Sequence, residues 1–295
     1  MQKLYEYILE EIEKSSDFYD SKISFEEYLF SLQKPAKLLW TSYRSNRVKV
    51  DYSKPQFQAA YLIRYYPHYV EMTLEVLEKC SEFFAFGRKI NVCFFGAGPC
   101  PELLGLALYL KKYSPQTTDL AVNIYDLASK EWKPSRNITY KVHKSLCKGK
   151  GRVNVKATNL DLCSANSLEK ISKTTNNSHL FVFQNCLNEI WNKSATQNNI
   201  KFLLDRAPKD SFIIIADLLY DQSRKIVKNI AKTAEERRDY KILEKCDEMT
   251  IQSSFTLPEI IEENLLTGEN GLIPKKRINF FFLALKKIRY SRKII

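Results

Sequence analysis

One stretch constrains the fold more than any other: Ile90 to Leu110, INVCFFGAGPCPELLGLALYL. Asn91 to Phe95 is a short, mostly apolar run, the length and composition of a strand buried on both faces. Gly96-Ala97-Gly98 follows at once, and after Pro99, Cys100 and Pro101 comes an apolar run of helical character, Leu103 to Leu110. This predicts a strand, a tight turn and a helix. The two glycines let backbone approach a ligand closely. Pro101 suits the first turn of a helix, where its missing N–H costs nothing. Glu102 then stands at the positive end of the helix dipole.

Such a turn, at the carboxyl end of a strand, is where open α/β sheets bind nucleotides and related cofactors. A nicotinamide dinucleotide fits poorly. Gly105 comes late for the third glycine of that fingerprint, and Pro99 and Pro101 remove amide donors that a pyrophosphate would use. A cofactor without phosphates fits better.

From residue 90 onward, strand and helix patterns alternate. Strand candidates are 91–95, 121–125, 152–157, 179–184, 211–216 and 278–285. Alternation of this kind implies a parallel sheet with helices on both faces. The last candidate, INFFFLAL, leaves no room for a full crossover helix after a strand at 247–254, so those two are expected to pair antiparallel. Before residue 88 the chain is helical. Apolar residues recur at helical spacing over 2–14 and 24–33, a further helix covers Leu38 to Tyr43, and 56–80 makes two pieces meeting at Pro67. The second piece is expected beside the strand at 91–95. The aromatics of Tyr65-Tyr66-Pro67-His68-Tyr69 are expected mainly in the core. Two regions follow: a helical segment over 1–87 and an α/β domain over 88–295.

The glycine turn after an apolar first strand resembles motif I of the class I S-adenosylmethionine (SAM) dependent methyltransferases. The parallel sheet ending in an antiparallel strand looks like their Rossmann-like fold over about residues 88–287. The resemblance implies SAM as cofactor, with Phe95, Gly96, Ala97, Gly98, Pro99 and Glu102 at the motif I turn. Asp126 ends the second strand, where a carboxylate can accept hydrogen bonds from both ribose hydroxyls, and Leu127 beside it can pack on adenine. After the third strand, Asn159, Leu160 and Asp161 stand where that family contacts adenine. Asn159 and Asp161 are both candidates, and either can equally cap the following helix.

The fourth strand ends Gln184-Asn185-Cys186-Leu187-Asn188-Glu189, the family's position for substrate-facing groups. Gln184 and Asn185 are expected near the cofactor. Asn185 and Asn188 are candidates to orient a substrate, and Glu189 is a candidate base. The run lacks the Asn-Pro-Pro-aromatic motif of many exocyclic-amine methyltransferases. Cys186 is expected to be structural. Asp217, closing the fifth strand, is expected to line the substrate pocket or cap a helix.

Net charge is +12, which favours anionic partners. Residues 141–156 carry six Lys or Arg and 275–293 carry eight, neither with an acid, so RNA is the expected partner through these two stretches. The run AYLIRYYPHY, followed by a helix leading into GAGP, also resembles the bacterial and mitochondrial family of ribosomal small-subunit methyltransferases, and tilts the substrate toward RNA. A SAM enzyme acting on a small molecule or protein, including nicotianamine synthase-like transfer, is an alternative, as is a non-catalytic binding protein on the same fold. Seven unpatterned cysteines and three histidines argue for reduced thiols, no metal site and a cytoplasmic setting. No apolar run approaches membrane-spanning length, so no membrane partner is expected.

Overall fold

The computed structural model describes residues 3–43, 50–148, 151–273 and 276–289. Five helices come first: α1 (Leu4–Glu13), α2 (Phe25–Ser31), α3 (Gln33–Ser42), α4 (Pro55–Arg64) and α5 (Tyr66–Lys79). Ser24 and Glu27 start α2 reciprocally, each side chain accepting the other's backbone N–H at 3.1 and 2.9 Å. Pro67 sits in the first turn of α5, so the chain breaks between α4 and α5 where the proline requires it.

Then strand and helix alternate: β1 (Lys89–Phe95), α6 (Pro101–Tyr113), β2 (Asp119–Asp126), α7 (Lys133–Leu146), β3 (Arg152–Asn159), α8 (Ser172–Thr175), β4 (Leu180–Gln184), α9 (Lys193–Arg206), β5 (Phe212–Leu218), α10 (Asp221–Glu236), β6 (Tyr240–Gln252), α11 (Glu259–Asn264) and β7 (Arg277–Lys287). The sheet order is β3-β2-β1-β4-β5-β7-β6. β1 to β5 are mutually parallel, and β7 runs antiparallel to both β5 and β6. The sheet is Rossmann-like, parallel with an antiparallel strand near the C-terminus. The strand order reverses between β1 and β4, which opens a crevice at their carboxyl ends.

Period-two alternation sends successive side chains to opposite faces of the sheet. Val92, Phe94, Val122 and Ile124 join Met72, Val76 and Leu77 of α5 and Leu103 and Leu106 of α6 in one core. Cys93, Phe95, Phe181 and Phe183 join residues of α9 and α10 in the other. Gly105 lets α5 and α6 cross closely, since a Cβ there would fall 2.5 Å from Thr73 Cβ. That contact, and not a cofactor, is what its missing side chain serves.

A third core unites α1 to α4 with Leu104 of α6, Ile138 and Val142 of α7, and Ile261, Leu265 and Leu272 of the β6–β7 connection. Glu71 of α5 ties that connection down by accepting the Ser254 N–H at 2.8 Å and the Ser253 hydroxyl at 3.1 Å. The helical segment and the α/β region therefore share side-chain packing across residue 87. Among the described residues, no helix is long and apolar enough to cross a membrane.

Candidate functional site

The turn after β1 is wound tightly. Gly96 and Gly98 have φ of +60° and +49°, in the left-handed region that glycine adopts without strain, and Cys100 follows at +67°. Gly96 N–H is spent on Tyr125 O at 2.7 Å and Cys100 N–H on Ala97 O at 2.6 Å. Gly98 N–H is spent on Asp126 Oδ2 at 2.8 Å, and Pro99 and Pro101 have no N–H. Few amides remain for a phosphate. The same Asp126 carboxylate accepts the Ala128 N–H through Oδ1 at 2.8 Å, so it braces the turns after both β1 and β2.

A cavity of about 310 Å³ lies over this turn, at the carboxyl ends of β1, β2 and β4. Gly96, Ala97, Gly98, Pro99 and Glu102 form one wall, and Asp126 and Leu127 another. Leu160 and Asp161 follow β3, and Gln184, Asn185 and Glu189 follow β4. Most of the sequence-selected residues thus meet around one space. Two do not. Phe95 is fully buried beneath the turn, stacked on Phe183 at 4.4 Å and Tyr125 at 5.3 Å, because its place on β1 directs it into the core. Asn159 is exposed at the end of β3, an edge strand with only one neighbour, and lies off the wall.

Others carry structural bonds of their own. Asp161 accepts the Cys163 N–H at 2.7 Å and the Ser164 hydroxyl at 2.8 Å, shaping the turn after β3. Gln184 holds β4 to α5, accepting the Thr73 hydroxyl at 2.8 Å and donating to Tyr69 O at 3.0 Å. Cys186 is buried with its thiol pushed well up by burial and by surrounding carboxylates, which makes it no nucleophile. Asp217 neither lines the cavity nor caps a helix of its own segment. Fully buried, it accepts the N–H groups of Leu187 and Asn188 at 2.9 and 3.3 Å, and so pins the loop that carries Asn185, Asn188 and Glu189.

Sequence reasoning missed Trp132 and Tyr52. Trp132 lies against Gly98, within 3.1 Å of where a Cβ would stand, and its ring meets Tyr52 at 4.3 Å. Neither residue belongs to a recognisable motif; the folded path alone brings them to the turn.

Four carboxylates line this cavity, those of Glu102, Asp126, Asp161 and Glu189, and among the described residues no Lys, Arg or His does. Burial, with Asp126 nearby, raises Glu102 to about 8, and its Oε2 has no hydrogen-bond partner. Glu189 is solvent-accessible at the cavity yet enclosed by surrounding chain, and that enclosure, with Asp126 and Asp217 nearby, raises it to about 8 as well. Burial also lifts Asp126, against the N–H groups of Gly98 and Ala128.

A carboxylate raised from 4.5 to about 8 holds a proton in the fold that the unfolded chain has released. Its contribution to stability is complete below the lower value and is lost as pH rises toward the upper one. The unfolding midpoint is therefore expected to fall as pH rises from about 4.5 to about 8, and to level off above that. The double variant Glu102→Gln, Glu189→Gln should flatten that slope; an unchanged slope in thermal melts would refute the assignment.

A larger cavity of about 820 Å³ adjoins the first and shares Tyr43, Tyr61, Tyr69, Asn185 and Glu189 with it. Its own wall brings in Trp40, Tyr65 and Tyr220, Asn188, and four basic side chains, Arg64, His68, Lys276 and Arg277. Of the Tyr65–Tyr69 cluster Tyr66 and Pro67 are buried, Tyr66 bonded through its hydroxyl to Thr139 at 2.8 Å; Tyr65, His68 and Tyr69 are partly buried and line this cavity, Tyr65 and Tyr69 packing beside the core. Asn185 and Asn188 each keep a buried Oδ1 with no partner among the described residues.

The two basic stretches are divided by the fold. Lys276 and Arg277 stand at the cavity end of β7, whereas Lys286 pairs with Phe212 at the start of β5, at the opposite end of the sheet. Lys287 is only 1% exposed. It donates to Asp239 at 2.7 Å and to Leu204 O at 2.8 Å, and so is an internal strut instead of a surface cation. Lys141 pairs with Glu11 at 3.2 Å, and Arg152 and Lys156 lie on edge strand β3. Lys150, Lys275, Arg292 and Lys293 fall outside the described residues.

No family model matches the chain, and no curated protein matches it in sequence. Solved structures do match in fold. The plantazolicin methyltransferase BpumL in complex with SAH is 14% identical, over 89% of this chain and 98% of that one, at a TM-score of 0.46. Precorrin-6y C5,15-methyltransferase from Geobacter metallireducens is 10% identical, over 73% and 87%, at 0.43. The DszA carbon methyltransferase is 10% identical, over 88% and 69%, at 0.42. These are likenesses of fold.

Proposed function

We propose that this chain is a SAM-dependent methyltransferase, with the cofactor in the smaller cavity and the methyl acceptor in the larger one. The observation that carries this reading is the wall of the smaller cavity: four acidic side chains and, among the described residues, no lining Lys, Arg or His, over a glycine turn with few free amides. Such a site offers a pyrophosphate neither a lining cation nor a row of amides, and suits a nucleoside cofactor without phosphates. SAM, when bound, supplies a methyl group made electrophilic by its sulfonium. The chain's own task is to hold two ligands on either side of a common wall, Asn185 and Glu189, in line for transfer. Asp126 keeps lone pairs for ribose hydroxyls beyond its two backbone bonds.

Calorimetric titration with SAM, S-adenosylhomocysteine and NAD tests this. Binding of both SAM compounds at about micromolar Kd, with NAD silent, is expected. NAD binding, or silence toward all three, would sink it.

RNA is the finer reading of the acceptor. It is supported by the net charge of +12 and by Lys276 and Arg277 on the larger cavity. A small-molecule acceptor is favoured by a different observation. Lys286 and Lys287, among the densest basic residues of the sequence, lie away from both cavities and engage Asp210 and Asp239.

A further inference from the structure

Arg64 is the anomaly of the larger cavity. It lines that space yet is only 6% exposed, and no carboxylate of the described residues lies within ion-pair distance of it. One guanidinium nitrogen donates to Leu272 O, the Tyr65 ring lies 5.5 Å from Cζ, and Nε has no partner among the described residues. A buried guanidinium without a counter-charge is costly, and an anion supplied from outside removes that cost. Its neighbours agree. Lys276 and Arg277 line the same cavity, and both ring nitrogens of His68 are buried and unpartnered. Burial, with Arg64 beside it, lowers His68 to about 4, so its ring is neutral and one N–H is available to donate.

The rest of the wall is aromatic. Tyr65 contacts Tyr43 at 5.2 Å and Tyr61 at 5.7 Å, and stacks on Tyr69 at 6.4 Å. Tyrosine walls favour flat π-faced groups. At the part of the wall shared with the smaller cavity, the unpartnered Oδ1 of Asn185, together with Oδ1 of neighbouring Asn188, asks for a hydrogen-bond donor.

We propose that the larger cavity receives a planar anion, a flat aromatic body joined to a carboxylate or phosphate, with Arg64 as its counter-charge. This deepens the methyl-transfer reading and rests on it only for the chemistry. The anion is held at the basic wall, and the edge that meets Asn185 and Asn188 bears N–H or O–H hydrogen. A mononucleotide unit of an RNA and a free aromatic acid share this chemistry.

The probes are adenosine monophosphate and aminobenzoate, their neutral counterparts adenosine and aminobenzamide, and a short single-stranded RNA. Each is titrated calorimetrically at constant ionic strength into wild-type protein, Arg64→Gln and Arg64→Lys. At least one anionic probe is expected to bind, its neutral counterpart about tenfold or more weaker. Arg64→Gln should lose about tenfold to a hundredfold in that affinity and Arg64→Lys should recover part of it. If only RNA binds and Arg64→Gln weakens it, the anion is a polynucleotide phosphate; if the small anions bind, it is a free acid. Neutral probes binding as tightly as anionic ones, or anion affinity unmoved by Arg64→Gln, would overturn the proposal. Should Arg64→Gln fail to fold, Lys276→Gln with Arg277→Gln, at the exposed start of β7, gives the same readout. S-adenosylhomocysteine is titrated alongside: its silence in wild type defeats the methyl-transfer reading and leaves the anion result standing.

Discussion

Asp126→Asn is expected to weaken S-adenosylhomocysteine binding by about a hundredfold, while the folded state survives. The carboxylate lies at the end of β2 on the wall of the smaller cavity, 9% exposed. It already accepts the N–H groups of Gly98 and Ala128, both at 2.8 Å. In the proposed site its remaining lone pairs would accept from ribose hydroxyls, and a hydrogen bond to a charged group contributes about 1.5–3 kcal/mol. Alanine is the wrong control. It would leave two buried N–H groups unpaired, at about 1–3 kcal/mol each, and so loosen the turn itself. Asparagine keeps one acceptor and the side-chain volume. Calorimetry on the variant, with a thermal melt alongside, separates the two effects. Unchanged affinity would remove the ribose assignment, and a collapsed melt would show that Asp126 acts chiefly through the turn.

Gly96→Ala is expected to cost more stability than any other single methyl added at this turn. A Cβ at Gly96 would stand 2.3 Å from Cys186 Cβ, and its φ of +60° is strained for any residue with a side chain. Overpacking costs about 1–3 kcal/mol and the left-handed backbone about 1–2 kcal/mol more. Gly98→Ala meets only the Trp132 ring, at 3.1 Å, and should cost less. The contact with Cys186 can be isolated. In the double variant Gly96→Ala, Cys186→Gly, the opposing Cβ is gone, so the steric part should return and the backbone part should not. Urea denaturation reads both. A Gly96→Ala midpoint equal to wild type would mean that β1 and the β4 loop are not packed as described.

Local pattern made much of this molecule legible. The alternation of apolar runs located all seven strands, with boundaries that shifted by a few residues at most sites and by more at β6, where 247–254 became Tyr240–Gln252. β6 is half-exposed on an edge, so its apolar signal is weak over Lys241 to Glu248. The glycine turn, and the carboxylates of Asp126, Asp161 and Glu189 on the cavity wall, could be read because strand ends in a parallel sheet converge on one crevice.

Other features depended on partners far away in the chain. Lys287 reads as one of eight cations in a basic tail, but Asp239, forty-eight positions earlier, draws it inside. Arg64 reads as the end of an ordinary amphipathic helix, yet it reaches Leu272 O and stands on a cavity wall without a counter-charge among the described residues. Tyr61, Tyr65 and Tyr69 recur at helical spacing and look like core. Their face of α4 and α5 also borders open space, because β5 and β7 end beside it with Leu218, Tyr220 and Ile278.

The amino-acid sequence by itself thus determined the strands, the helices, the parallel sheet and the turn that marks its crevice, because each follows from periodicity and backbone sterics within a few residues. Only the tertiary structure decided which charges are struts and which face a ligand. It alone separated an acidic cavity from a basic, aromatic one across Asn185 and Glu189. Burial and pairing of a charge depend on groups brought together from distant segments, and no local pattern records them.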